Sequence, residues 1–274
     1  MTRASLLHEG AGLAALARHL LEAYEVRDRQ LVPRDRRMKG LCERTVGMGT
    51  ENTAYLVNTA VSMLGRGVYL EIGSYQGRSL LAAASGNARL CLGVDNFSKF
   101  DPDGRNEAAL RANIAGCANV AFYKSDYLRF FAEPPPALVE QGIGFYFYDG
   151  DHAAEHQREG LEQARPYLLP GALILVDDVN LNRAAHPTLD WADRCGYRVL
   201  LHLRTPGRAH QSWGNGILLL TSADIDENLA LALQGRLSLL TARTDPRLRF
   251  RYQLGRLVRV DEEDPARWEP AAAA

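Results

Sequence analysis

Apolar positions along the chain recur with two different periods. Leu13, Leu16, Leu20 and Tyr24 follow one another at spacings of three and four, which sets them on one face of an amphipathic helix over residues 11–26. Residues 27–50 break the pattern: RDRQLVPRDRRMKG is polar and GMGT is loop-like, so no regular element is expected there. A second helix is expected over residues 51–64. From Val68 onward short apolar runs alternate with helix-compatible stretches. VYLEIG (68–73), RLCLGVD (89–95), NVAFYKSD (119–126), IGFYFYD (143–149) and ALILVDD (172–178) each have the length and make-up of a buried strand. Repeated strand and helix units predict an α/β fold, a mostly parallel sheet with helices on both faces. YRVLLHL (197–203) and NGILLLT (215–221) flank the turn-rich TPGRAHQSWG and add an antiparallel closing pair, which brings the expected strands to seven.

After Thr221 the character changes: residues 222–240 read as helix, and RLRFRYQL (247–254) alternates Arg247, Arg249 and Arg251 with apolar residues, as an edge strand guarded by charge does. There is no internal repeat, and the tail EPAAAA is of low complexity and expected to be disordered. The expected division is a helical cap over 1–66, a core over 67–221 and an extension over 222–274.

Composition narrows the partners. With 46% hydrophobic and 24% charged residues the chain has the make-up of a globular protein that can bury a large core. A net charge of -1 gives no general attraction to nucleic acid or to a membrane surface. Cys42, Cys91, Cys117 and Cys195 are scattered without a C-x-x-C pair, which fits a reduced, cytoplasmic protein. His8, Glu9, Arg18 and His19 interrupt the N-terminal apolar stretch, and no apolar run approaches the length of a membrane span.

Four of the five parallel runs finish in an acid, and VYLEIG finishes in a glycine loop. Ligands of open parallel sheets bind at the carboxyl ends of the strands, so these positions point to a site. In the loop E-I-G-S-Y-Q-G-R-S, Gly73 and Gly77 allow close approach of a ligand to the backbone. The spacing matches neither the dinucleotide nor the nucleotide-hydrolase glycine motif. Asp95, some twenty residues on, ends the second run where an acid can accept both ribose hydroxyls. Asp126 ends the third, where a carboxylate can meet an adenine amino group. Glu71, inside the first, can face an ammonium. Singly each acid is as easily a helix cap; together they describe a pocket for a nucleoside carrying an amino acid.

LEIGSYQGRSL is similar to the first motif of class I S-adenosylmethionine-dependent methyltransferases, and especially to the LELG-x-Y-x-G-x-S pattern of catechol O-methyltransferase. The resemblance, over about residues 52–221, implies a Rossmann-like seven-stranded fold. It implies S-adenosylmethionine with Gly73, Ser74 and Gly77 along its methionine part, Glu71 near its amino group, Asp95 on the ribose and Asp126 at the adenine.

The stretch YDGDHAAEH (148–156) admits several chemistries. Asp149 ends the fourth run and Asp177-Asp178 the fifth, so three carboxylates from adjacent strand ends can converge on a hard cation, Mg2+ before Mn2+ or Ca2+. The metal-dependent O-methyltransferases that the chain resembles hold their ion with acids in these places. A base must take the acceptor's proton, and His152 or Asp151 stands ready. His152 occupies the place of a lysine in catechol O-methyltransferase, while relatives of macrocin O-methyltransferase show a histidine there. His152 is preferred because its pKa lies nearer working pH. The resemblance then implies a small-molecule acceptor, a hydroxyl of a sugar-bearing or polyhydroxylated natural product. Met48 and Glu51 fall where related enzymes place a flexible segment over the cofactor, and His186 and Trp191 fall near the acceptor. Alternatives are metal-independent methylation of nitrogen or another centre, a non-catalytic cofactor-binding protein, and a zinc protease through H-x-x-E-H at His152, Glu155 and His156. The apolar faces of the N-terminal helices leave room for a homo-oligomer.

Overall fold

The computed structural model describes residues 3–205, 210–244, 250–253 and 256–259. Helix α1 (Arg3–Ala23) runs directly into a hairpin of β1 (Tyr24–Arg27) and β2 (Gln30–Pro33), followed by the short α2 (Lys39–Arg44). This corrects the expectation of an irregular stretch over residues 27–50. The turn residues Asp28 and Arg29 both have positive φ, 51° and 59°, the twist that lets a two-residue turn join antiparallel strands. Neither residue is the Asn-Gly pair that advertises such a turn. Leu31 and Val32 bury the apolar side of the hairpin, and the charges around them hide it from a periodicity reading. Helix α3 (Glu51–Ser62) follows, its first turn capped by the Thr50 hydroxyl, which accepts from the Thr53 N–H at 3.2 Å.

Seven strands form one sheet among the described residues: β3 (Val68–Ile72), β4 (Cys91–Asp95), β5 (Val120–Lys124), β6 (Ile143–Tyr148), β7 (Leu168–Val176), β8 (Arg198–Leu203) and β9 (Ile217–Thr221). Their spatial order is β5-β4-β3-β6-β7-β9-β8. The first five are parallel, and β9 runs antiparallel to both β7 and β8. The chain leaves β3 toward one edge and returns to its other side as β6, so a switch point opens between the carboxyl ends of these two strands.

The side chains of each strand alternate between two cores, the period of two that a pleated strand imposes. Tyr69, Phe145, Phe147, Leu173, Leu175 and Leu219 face one layer, with α1, α3, α4 (Arg78–Ala84) and α10 (Glu227–Thr244) packed on it. Leu70, Tyr146, Tyr148, Ile174, Val176 and Leu218 face the other. That layer is covered by α6 (Tyr127–Ala132), α7 (Pro136–Gln141), α8 (Ala154–Ala164) and α9 (Asn182–Cys195); α5 (Arg105–Ile114) links β4 to β5. Leu13, Leu16, Leu20 and Tyr24 share the first core with Leu233, Leu237 and Leu240, so the N- and C-terminal segments are fastened to the same sheet face. Trp191 lies wholly in the second core against Tyr197, not in an acceptor pocket.

A second hairpin pairs β10 (Phe250–Gln253) with β11 (Arg256–Arg259). Arg247, Arg249 and the tail EPAAAA lie outside the described residues. Among the described residues no helix is long and apolar enough to cross a membrane.

Candidate active site

At the end of β3 the backbone turns through Gly73 at φ 91° and Tyr75 at φ 48° before Gly77, at φ 84°, starts α4. Gly73 is required by contact as well as by conformation. A Cβ on it would lie 2.0 Å from the carbonyl oxygen of Asp149, so the ends of β3 and β6 touch through this position. Asp95, at the end of β4, shapes the same loop: one carboxylate oxygen accepts from the Tyr75 N–H at 2.8 Å and the other from the Phe97 N–H at 2.7 Å. Burial raises its pKa, and these amide bonds offset part of the rise. Asp126 caps α6, accepting from the Leu128 N–H at 2.8 Å, and its second oxygen accepts from the Asn96 side-chain amide at 3.3 Å.

Glu71 lies beneath the loop, fully buried. The Tyr69 hydroxyl donates to one of its oxygens at 2.6 Å, and its other oxygen and the buried Ser74 hydroxyl have no partner. Burial drives its pKa up to about 7, against hydrogen bonds that pull it down. An orphaned carboxylate oxygen beside an orphaned hydroxyl is an arrangement that a cationic, hydrogen-bonding group would complete.

Two open clefts meet here. The larger, about 900 Å3, carries Asp95, Asn96, Ser125, Asp126 and Tyr127 along its wall. The smaller, about 480 Å3, runs past Ser74, Ser79, Thr50, Thr53 and Asp177. Met48, Gly73, Tyr75 and Asp149 belong to both. Arg78 holds the loop that forms the roof of the smaller cleft: its guanidinium donates to the carbonyls of Cys42, Thr45 and Gly49.

Beyond the junction, the carboxylates at the ends of β6 and β7 gather around one imidazole. His152 Nε2 lies 3.2 Å from Asp178 Oδ2 and 3.6 Å from Asp149 Oδ1, with the ring only 13% exposed. Its Nδ1 lies 3.4 Å from Gln157 Oε1. Burial lowers the His152 pKa, but the two carboxylates outweigh burial and the net shift is upward. Asp178 is turned into place by a positive φ of 57° and accepts from the Asn215 amide at 2.7 Å. Burial raises the pKa of Asp149 and, well above the ordinary range, of Asp177, and the neighbouring carboxylates push both further. Asp151 is set apart: Lys99 donates to it at 2.8 Å and holds its pKa below the usual value.

The all-oxygen donor set of Asp149, Asp177 and Asp178 suits a hard divalent cation, and their mutual repulsion calls for positive charge. As the side chains stand, the His152 ring lies between two of the carboxylates, and among the described residues no group of three or more His, Cys, Asp or Glu is gathered to hold an ion. The histidines of H-x-x-E-H part ways: His152 precedes α8 and faces the aspartates, whereas His156 meets the Tyr127 hydroxyl at 3.1 Å. Lys99, Gln157 and Asn215 join the site without a local sequence signal.

Residues 70–179 match a family model described as a methyltransferase domain. The sheet order and the switch-point cleft around that segment are those of the Rossmann-like class I methyltransferase fold. The cofactor-bound structure of Rv0187 from MTB is similar at TM-score 0.51 and 17% identity, over 78% of this chain and 90% of that one. The O-methyltransferase TomG from Streptomyces achromogenes, involved in tomaymycin synthesis and solved with SAM, is similar at 0.52 and 14%, over 70% and 92%. An O-methyltransferase from Bacillus cereus in complex with SAH is similar at 0.51 and 14%, over 69% and 92%. At these identities the likeness is one of fold. No curated protein matches the chain.

Proposed function

We propose that the protein transfers the methyl group of S-adenosylmethionine to a hydroxyl oxygen of a small molecule, a sugar-bearing or polyhydroxylated natural product. The observation that carries this reading is the His152 imidazole, held between Asp149 and Asp178 beside the junction of the two clefts, its pKa raised by the two carboxylates. The cofactor would lie along both clefts, its ribose at Asp95, its adenine toward Asp126, and its methionine part along Gly73, Ser74 and Gly77. The orphaned oxygen of Glu71 would meet its ammonium, directly or through water. Two similar folds solved with SAM or SAH are named O-methyltransferases, which favours oxygen as the acceptor.

In the reaction the acceptor oxygen attacks the methyl carbon, the carbon–sulfur bond breaks toward sulfur, and the hydroxyl proton passes to the neutral form of His152, whose Nε2 must first be released from the carboxylates by the entering acceptor or cation. Asp149 and Asp178 stabilise the imidazolium so formed, and Gln157 fixes the ring. Asp151 is a poor base here because Lys99 lowers its pKa and occupies one of its oxygens. Asp149, Asp177 and Asp178 are the residues that would hold Mg2+, which when bound lowers the acceptor's pKa and orients its oxygen. A second reading has a specific observation in its favour: with His152 already between the carboxylates, the same site can run without a metal.

Formation of S-adenosylhomocysteine against a panel of polyhydroxylated acceptors, with a chelator and then with Mg2+ restored, tests both. Turnover lost and recovered is expected for the metal-assisted form. Turnover untouched by the chelator selects the second reading, and turnover with amines alone overturns O-methylation.

A further inference from the structure

His152 stands on a short segment that is fastened from below. Tyr148, wholly buried at the end of β6, donates through its hydroxyl to the carbonyls of Asp151 and His156 at 2.9 and 3.1 Å, and so brackets residues 151–156. Asp151 Oδ1 accepts from the Ala153 N–H at 3.0 Å, and the Ala153 carbonyl accepts from the Gln157 N–H at 2.9 Å. The His152 ring lies edge-on to Tyr148, with centroids 6.4 Å apart and planes at 85°. Gln157, which meets its Nδ1, is fully buried. A ring packed and hydrogen-bonded on several sides has a set direction, unlike a solvated histidine on a helix surface.

That direction carries Nε2 into the gap between carboxylates from two strand ends, 3.2 Å from Asp178 Oδ2 and 3.6 Å from Asp149 Oδ1. The second oxygen of Asp178 accepts from the Asn215 side-chain amide at 2.7 Å. Both oxygens of Asp178 therefore face donors that the chain itself supplies. Mg2+ takes its oxygen ligands at about 2.1 Å, so an ion that touches both aspartates must lie in the same gap. An N–H directed at these oxygens and an ion bound to them from the same side compete for the same lone pairs, whatever the charge of the ring.

We propose that His152 is an internal competitor for the cation site: its Nε2–H occupies the oxygens of Asp149 and Asp178 that a divalent ion would take, and so holds down the affinity of the site for that ion. The proposal rests on the reading of Asp149, Asp177 and Asp178 as the residues that would hold Mg2+. It gives His152 a part in cation affinity that is separate from its part as a base. An ion held weakly in this way exchanges with the solution, so occupancy follows the free Mg2+ concentration.

Binding of Mn2+ alone to the full chain, read at one fixed pH from the electron paramagnetic resonance signal of the free ion, tests it. The proteins compared are wild type, His152→Ala, His152→Leu and Asp178→Asn, each shown to be folded by circular dichroism. Leucine fills much of the volume of the ring without offering a donor. H152A and H152L should both bind Mn2+ about ten-fold tighter than wild type, the size of a hydrogen bond to a charged group taken out of competition. D178N should lose that site. A wild type that fails to saturate where both His152 variants do supports the proposal equally. Equal affinity in wild type, H152A and H152L overturns the competitor and leaves the cation reading standing. Weaker binding in both variants overturns it as well, since His152 would then be a ligand, and so does tightening in H152A alone, since bulk would then be the obstacle. No saturable binding by wild type, H152A or H152L, or wild-type affinity in D178N, overturns the competitor and the cation reading together.

Discussion

At His152 the two ring nitrogens face different partners, carboxylates on one side and the Gln157 amide on the other, while Asp151 is bound to Lys99. The two candidate bases are therefore separable by mutation. His152→Ala should lower kcat by about 100- to 1,000-fold, in line with loss of a general base. Asp151→Asn should change kcat only a few-fold, because it removes a strap and no proton acceptor. Equal losses in the two variants, measured under saturating cofactor, would contradict the assignment. Glu71 yields a prediction in pH. Its folded value of about 7 lies above the ordinary 4.5, so between those values the folded protein keeps a proton that the unfolded chain has released. Stability is then lost as pH rises through this window, by about 3 kcal/mol in all. Glu71→Gln removes that slope: its melting temperature should gain on the wild type from about pH 5 to about pH 8. Parallel pH profiles would show that Glu71 ionises normally in the fold.

The elements carry the site through close contacts at their ends. Gly73 lets β3 approach β6, and its substitution tests that contact against conformation alone. Gly86 is the natural control: it too has positive φ, 70°, but a Cβ there meets nothing within 4 Å. Gly86→Ala should cost about 1 kcal/mol and Gly73→Ala about 3 kcal/mol or more, read from denaturant unfolding. Equal costs would mean that the strand ends can part freely. The strands themselves were legible in the sequence because a strand buried on both faces is written as a continuous apolar run, and their acids stood out because four of the five runs stop at one. The β1–β2 hairpin was not legible, since Asp28 and Arg29 adopt positive φ without the usual residues and the strands are short and flanked by charge. The partners of the site residues were equally hidden. Lys99 reaches Asp151 across 52 positions and Asn215 reaches Asp178 across 37, distances over which no local periodicity carries information.

In the whole molecule the sheet separates two cores, and Asp149, His152 and Asp178 stand at its carboxyl edge, Asp149 on the wall of both clefts. Helices α1 and α10 share the core beneath α3, so the wall that bears Met48 and Thr50 is backed by both helices. The central claim is that the switch-point cleft binds S-adenosylmethionine, with Asp95 as its ribose acceptor. Calorimetric titration of the full chain with S-adenosylmethionine, alongside Asp95→Ala, tests this most directly. Saturable one-site binding by the wild type, weakened at least ten-fold in D95A at a temperature where circular dichroism shows the variant folded, is the predicted result. Absence of saturable binding by the wild type, or equal affinity in D95A, would contradict it.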